Sequence, residues 1–394
     1  MTRALRVLHI ASGDLWAGAE AQAFTLMSHL NRMPATEVAA VLMNEGMLAD
    51  KLRSHGISVY ITDERKAGAL RILSGVRKVL GRWRPDIIHT HREKENILGC
   101  LANRTGRNVP CVRTVHGGRE RLVKVGWRSV RTRLVSYADR WCGRLLQQRV
   151  IAVATDLAGR LAHDFPVDKI VVIENGIDFV EISAEVGVAG FRATDPGATH
   201  IGIAGRLVDT KRVDLFIEAA ALLLRECPRR DWRFHVFGEG PKRRSLEELS
   251  ESLHLGDKIT FHGHRQDIAT CLGGLDALVI CSDHEGMPMI SLEAAALGVP
   301  TVAHAVGGLI EVAPEEFSVS RHDAHGYKEG VLRALGPDGR AIATRCGAET
   351  IHRFSAQRNA QRVRALYEEV LTERNQMPRA KRPESQWSSR HGNR

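Results

Sequence analysis

The sequence predicts an α/β protein built from two Rossmann-like, doubly wound domains facing a central cleft. Three observations carry that expectation. Short apolar runs alternate with amphipathic helical patterns through most of the 394 residues, the rhythm of a parallel sheet covered by helices on both faces. The rhythm pauses once, over a stretch holding Gly187, Gly190, Pro196 and Gly197, and then resumes. The length suits two domains of ordinary size.

Strands of the first series are expected over 5–10, 38–43, 57–61, 86–89, 109–115, 150–154 and 170–173, with helices between them, such as 19–30 and 96–104. The second series starts at His200 and continues over 234–237, 259–261, 277–281 and 301–303. The expected division is a first domain over 1–178, a connection over 179–198 and a second domain over 199–355. A final amphipathic helix over 356–373 follows, then a basic tail over 374–394. Pro378, Pro383 and a polar composition mark that tail as a disordered segment.

Composition narrows the setting. Seven cysteines are scattered without a Cys-x-x-Cys pair, several in strand-like runs, as buried free thiols of a reducing compartment would be. No run of about 18 apolar residues occurs, so no membrane-spanning helix is expected. The opening residues lack the apolar core of a signal peptide. The expected location is cytoplasmic, extending to the inner face of the cell membrane. Lys and Arg outnumber Asp and Glu by 56 − 46 = 10, a balance that fits phosphorylated ligands, nucleic acid or an anionic membrane. No RRM, OB or helix-turn-helix pattern accompanies the charge, so nucleic acid is not an expected partner. A Gly-x4-Gly-Lys-Ser/Thr loop is missing, which argues against an ATPase. Gly238-Glu239-Gly240-Pro241 lacks the third glycine of a dinucleotide fingerprint and reads as a tight turn.

The most informative stretch runs from Ser282 to Pro300. An apolar run leads into Ser282-Asp283-His284-Glu285-Gly286-Met287-Pro288-Met289, and a helix follows, with Pro288 in its first turn and Gly298 and Pro300 at its end. A strand, a short loop and a helix start make an anion-binding corner, because free N–H groups and the positive end of the dipole converge there. Glu285 and Glu293 frame it. Directly after the first strand of the second series, Gly205-Arg206-Leu207-Val208-Asp209-Thr210-Lys211 places two cations five residues apart across a strand-to-helix turn, a spacing that can hold a diphosphate from two sides.

Those segments, with Phe237-Gly238-Glu239-Gly240-Pro241, Phe261-His262-Gly263 and Glu285-x7-Glu293, resemble the retaining GT-B glycosyltransferases of family 4. Glu174-Asn175-Gly176-Ile177-Asp178 is similar to the family's Pro-Asn-Gly-Ile/Val-Asp junction, with glutamate for proline. Ala17-Gly18-Ala19-Glu20 resembles its Gly-Gly-Ala-Glu loop, with the first glycine lost. The resemblance covers about residues 5–373, and from Gly307 the family's usual Gly-x-Leu-Val stretch is lacking.

The resemblance implies a GT-B fold and transfer of a hexosyl or N-acetylhexosaminyl group from a nucleotide-diphosphate sugar, a co-substrate, with no cofactor. It implies that Arg206 and Lys211 bind the donor diphosphate, and that Glu293 bonds the ribose. Glu285, helped by the N–H groups of Gly286, Met287, Pro288 and Met289 as far as each has one, would hold the transferred sugar. Gly18 would let the backbone approach the phosphates, Gly263, His264 and Arg265 would lie near the base, and His116 would face the reacting sugar. His116, Arg206, Lys211 and Glu285 are the expected catalytic set. Asp283-His284-Glu285 superficially resembles the Asp-x-Asp of metal-dependent transferases, but the cations and the helix start already supply positive charge, so no metal is expected. His89-Thr90-His91 has a metal-like spacing without a further Cys or carboxylate ligand set in view.

Basic residues cluster over 119–144, interleaved with Leu122, Val123, Trp127, Val130, Leu134 and Trp141. Such a stretch fits a solvated helix face over core, or an interfacial segment on an anionic membrane. The expected acceptor is a hydroxyl of a lipid-linked or cell-envelope glycan. A sugar-nucleotide epimerase of the same fold and a non-catalytic sugar-nucleotide-binding protein are the alternatives.

Overall fold

The computed structural model describes residues 3–13, 16–117 and 127–376, with the side chains of 127–132 outside the description. Contacts divide the chain into two units, Met1–Gly176 with Ala356–Arg394, and Ile177–Ser355.

In the first unit β1 (Leu5–Ala11), β2 (Thr36–Leu42), β3 (Ser58–Ile61), β4 (Ile87–Thr90), β5 (Cys111–Val115), β6 (Arg149–Ala152) and β7 (Ile170–Val172) form one parallel sheet in the order β3-β2-β1-β4-β5-β6-β7. Strand residues alternate between its two faces. Val7 joins Phe24, Met27 and Leu30 in one core, while Leu8 and Ile10 join Val76, Leu80 and Trp83 in the other. Burial on both faces explains why these strands read as nearly unbroken apolar runs. The final helix, Ala356–Gln376, belongs here: Val363, Leu366, Tyr367 and Val370 pack into the core that holds Val7. The sequence order placed that helix after the second domain; its apolar stripe finds its partner on the first.

In the second unit β8 (Thr199–Ala204), β9 (Trp232–Phe237), β10 (Ile259–Gly263), β11 (Ala277–Ile280), β12 (Thr301–His304) and β13 (Ser318–Val319) form a parallel sheet in the order β10-β9-β8-β11-β12-β13. Strand order reverses between β1 and β4 and again between β8 and β11, the switch points at which ligands gather beyond the carboxyl ends of strands. The segment expected to be a plain connection is folded onto this unit. It forms the helices Phe179–Glu185 and Gly190–Thr194. The Phe191 ring lies 4.1 Å from that of His235, Arg192 pairs with Asp276 at 2.8 Å, and the Gly187 N–H donates to Thr270 Oγ1 at 3.1 Å.

Candidate active site

The loops after β8 and β11 meet. Asp283 N–H donates to the Thr210 carbonyl at 3.0 Å, joining the two loops through their backbones. Lys211 Nζ forms an ion pair with Glu285 Oε1, and Ser282 Oγ donates to the same oxygen at 2.6 Å. The Glu285 side chain is only 9% exposed, and these partners offset the cost of burying it. Gly205, Leu207, Lys211, Phe237, Cys281 and Ser282 line a small cavity at this corner. The two predicted segments are thus brought together. Lys211, however, is turned onto Glu285. Arg206 sits exposed on the same loop.

Two glycine turns brace the corner, and only one of them stood out in the sequence. Gly307 has φ +56°, and a Cβ there would lie 2.0 Å from the Glu285 carbonyl oxygen; at Gly308 it would lie 2.4 Å from that of Gly286. Gly308 N–H donates to the Gly286 carbonyl at 2.6 Å. The paired glycines after β12 were the signal available for this role. The Gly238–Gly240 turn supports the other loop: a Cβ on Gly238 would stand 1.9 Å from the Gly205 oxygen, and Leu207 N–H donates to the Glu239 carbonyl at 2.9 Å.

Asp283 is tied down as well. His322 Nε2 lies 2.9 Å from its Oδ1, and His322 Nδ1 lies 2.8 Å from the Tyr327 hydroxyl. Arg212 Nη1 approaches the same carboxylate oxygen at 3.5 Å. Both carboxylates of the Asp-x-Glu pair are therefore engaged by cationic or hydrogen-bonding side chains.

The following helix is Met289–Ala296, and Pro288, with ψ 124°, is its cap residue rather than part of the first turn. Its ψ lies in the extended region, so the helix begins one residue later, at Met289. Gly298, with φ +63°, ends it in the left-handed conformation that favours glycine. Met287 and Met289 are buried, while Gly286 supports the Gly308 turn. Burial, reinforced by Glu185, pushes the Glu293 carboxyl up to about 7. Gly263 ends β10 with φ +69°, and His264 beside it is exposed. Arg265 holds Asp267 through bonds of 2.8 and 2.6 Å, and so is already engaged.

In the first unit Gly18 is the exposed first residue of the helix Gly18–Arg32. His116 follows β5 and belongs to a group of four histidines of which His9, His89 and His91 are buried. His91 bridges His9 and His116 through contacts of 3.0 Å on either side. His89 contacts Thr114 Oγ1 at 2.7 Å and the Tyr367 hydroxyl. Sequence spacing gave only His89 and His91 as a metal-like pair; the fold adds His9 as the third member of the group. The rings of His89 and His91 are nearly parallel, 10° apart with centroids at 4.7 Å. Their in-plane lone pairs therefore run side by side, and both nitrogens of each ring have partners.

Of the basic stretch, 118–126 lies outside the described residues. The helix Trp127–Leu145 is two-sided where it is described. Asp139 and Cys142 are buried, whereas Leu134, Tyr137, Trp141 and Leu145 are 66, 72, 46 and 62% exposed. Arg140 pairs with Asp164 at 2.8 Å. Trp141 is therefore on the outer side of the helix, not a core residue.

Comparisons with known proteins agree with this fold. Residues 16–181 match the family model described as Glycosyltransferase Family 4, and residues 198–336 match Glycosyl transferases group 1. An Escherichia coli UDP-Gal:alpha-D-GlcNAc-diphosphoundecaprenol alpha-1,3-galactosyltransferase is 25% identical over 317 residues, covering 77% of this chain and 80% of its own. A D-inositol 3-phosphate glycosyltransferase of Saccharomonospora viridis is 27% identical over 389 residues, covering 90% and 86%. Among solved structures, Anabaena HepE in complex with UDP and glucose has a TM-score of 0.77 at 19% identity, covering 92% of this chain and 99% of that one. Sucrose-phosphate synthase of Thermosynechococcus elongatus has a TM-score of 0.74 at 17% identity, covering 93% and 100%. With one family model on each Rossmann-like unit of a GT-B fold, the chain belongs to the group 1, family 4 glycosyltransferases.

Proposed function

We propose that this glycosyltransferase is retaining and metal-independent, and that it moves a sugar from a nucleotide-diphosphate sugar to a hydroxyl of a lipid-linked or cell-envelope glycan. The observation that carries the reading is the Lys211–Glu285 pair, with Ser282 on the same oxygen, at the carboxyl ends of β8 and β11. On donor binding Lys211 and Arg206 take the diphosphate, and Glu285 turns to the sugar hydroxyls. Glu293 bonds the ribose, while Gly263, His264 and Arg265 border the base. The N–H groups of Gly286, Met287 and Met289 face the donor, and Gly18 is the first unit's phosphate-side glycine. His116 bonds the reacting sugar.

In the chemical step the bond from the anomeric carbon to the diphosphate oxygen breaks. The acceptor oxygen bonds to the same face, and its proton passes to the departing diphosphate. Lys211 and Arg206 stabilise the negative charge that develops there.

Similarity to a transferase named for a diphosphoundecaprenol acceptor supports the lipid-linked choice. A docked state at an anionic membrane is favoured by the stripe of Leu134, Tyr137, Trp141 and Leu145, whose apolar and amphipathic side chains suit an interface.

A panel of UDP-, GDP- and ADP-sugars, read first by thermal stabilisation and then by labelled-product analysis, tests the reading. Transfer with retained anomeric configuration, undiminished by EDTA, is expected. An isomerised donor, binding without transfer, an inverted product or a strict metal requirement would each overturn it. Lys211→Ala and Glu285→Ala should each cut turnover about 100-fold or more. Near-normal turnover in both would remove this corner from the mechanism.

A further inference from the structure

His9 on β1, His91 just past β4 and His116 just past β5 stand on adjacent strands of the order β1-β4-β5. Their rings form a head-to-tail chain. His9 Nδ1 lies 3.0 Å from His91 Nε2, and His91 Nδ1 lies 3.0 Å from His116 Nε2. Successive rings are nearly parallel, at 20° and 18°.

Burial pushes His9 and His116 well below the usual imidazole range and His91 to about 3, so the rings are neutral. A neutral imidazole carries one proton, and each link holds one. Three rings then have one proton left, which sits at an end of the chain, on His9 Nε2 or on His116 Nδ1. Both end atoms are buried without a hydrogen-bond partner among the described residues.

The two ends are not equivalent. His9 is fully buried within a central strand, where a stranded N–H stays stranded and costs its full desolvation. A bare acceptor is the better-tolerated orphan there. His116 lines a small cavity with Gln22, Thr114, Asn175 and Asn359, where a ligand oxygen can complete it. The proton belongs at that end.

We propose that His9 and His91 are positioning residues for the transferase reaction: their chain fixes His116 as the Nδ1–H tautomer, so that His116 donates a hydrogen bond to an oxygen of the bound sugar. This rests on the role given to His116 above. The tautomer of one ring is set by the bond at its other nitrogen, and here that control extends over two further rings.

A neutral donor also adds no positive charge beside a sugar that is itself becoming positive. Among the described residues, the charged groups near His116 are Arg92 and Arg113. Arg92 is paired with Glu20 of the helix Gly18–Arg32, and Arg113 with Asp139 of the helix Trp127–Leu145. The helix Ala356–Gln376 contributes neutral Asn359 and, through His89, Tyr367.

Histidine-15N labelling of the full chain tests the tautomers directly, by long-range proton–nitrogen correlation between pH 8 and 5. Expected are three Nδ1–H rings, neutral throughout and unmoved by Zn2+. A bare His116 Nδ1, a charged His116 at pH 6, or zinc displacing the ring protons overturns the proposal. Kinetics with UDP-glucose, UDP-galactose and UDP-N-acetylglucosamine test the consequence. His9→Leu should lower kcat about tenfold with KM little changed, and His9→Asn, whose amide can replace Nδ1, should restore it. Equal kcat in His9→Leu and wild type also overturns the proposal. A wild-type chain that consumes no sugar nucleotide sinks the transferase reading instead, while the ring tautomers still decide the chain.

Discussion

Replacing Glu293 by Gln should stabilise the ligand-free protein while weakening its hold on the donor. The Glu293 carboxyl lies at about 7 because burial disfavours its charge, against about 4.5 in an unfolded chain. Between those values the folded state binds the proton and the unfolded state does not, so stability falls as pH rises through the window. Below it both forms are protonated and nothing is lost; above it the whole penalty is present. Gln is neutral at every pH and nearly isosteric. The variant should gain about 1 kcal/mol at pH 5 and about 3 kcal/mol at pH 8 relative to wild type. For a unit of this size that is a rise of about 6–12 °C in the melting temperature at pH 8. Differential scanning calorimetry across pH 5 to 8 measures it. With a tight donor the order should reverse, because a ribose that donates to the carboxylate is lost in the variant, and wild type alone should release protons on binding at pH 7. Parallel stability–pH curves for the two proteins would refute the argument, since they would mean that Glu293 carries no buried charge.

Three further perturbations separate fold from site. Asp139→Ala removes the carboxylate that holds Arg113 at 2.8 Å and accepts from Asn96 Nδ2 at 2.8 Å, all buried, and urea titration should show a loss of about 3–5 kcal/mol. His235 lies near 3 because of burial, with His262 and His200 adding to it. Its contribution is complete above pH 6.5 and is lost as pH falls toward 3, about 2 kcal/mol being gone at pH 5; Trp232 fluorescence during unfolding should show this slope flattened in His235→Phe. Gly307→Ala forces a Cβ onto the Glu285 carbonyl at a φ of +56°, so donor affinity measured by calorimetry should fall at least about tenfold, against the about 1–3 kcal/mol such strain costs.

The sheets were legible because parallel strands buried on both faces need unbroken apolar runs, as in Ile87-Ile88 and Ala277-Leu278-Val279-Ile280. β13 was not: Ser318 and Val319 form a strand only because Ala303 and His304 supply its pairing. The 179–198 segment misled for a related reason. Its glycines and Pro196 read as a linker, and nothing local announces that Phe191 will cover the rings of His200, His235 and Phe237. The Lys211–Glu285 corner was legible because its residues sit in two short segments. The histidine chain was hidden, because His9, His91 and His116 meet only through the strand order β1-β4-β5, and order is not written in spacing.

The ion pair at the centre of the site constrains how its residues can be separated experimentally. Lys211 and Glu285 pair with each other, so neither charge is left bare in this half-buried corner. Under the proposed function, binding exchanges partners rather than filling an empty socket: the diphosphate would take the cation as the sugar takes the carboxylate. Removing Lys211 alone takes the cation from Glu285, whose Oε1 the Ser282 hydroxyl still reaches, and the loop that carries it loses one of its ties. A loss of turnover would then mix missing charge with displaced geometry. Because Asp283 N–H to Thr210 and the Gly308 turn hold the same loops through backbone atoms, the displacement is limited, and the double-mutant cycle of Lys211→Met with Glu285→Gln isolates the exchange. A coupling between them that shrinks when donor is bound is the signature of a pair that opens for its ligand.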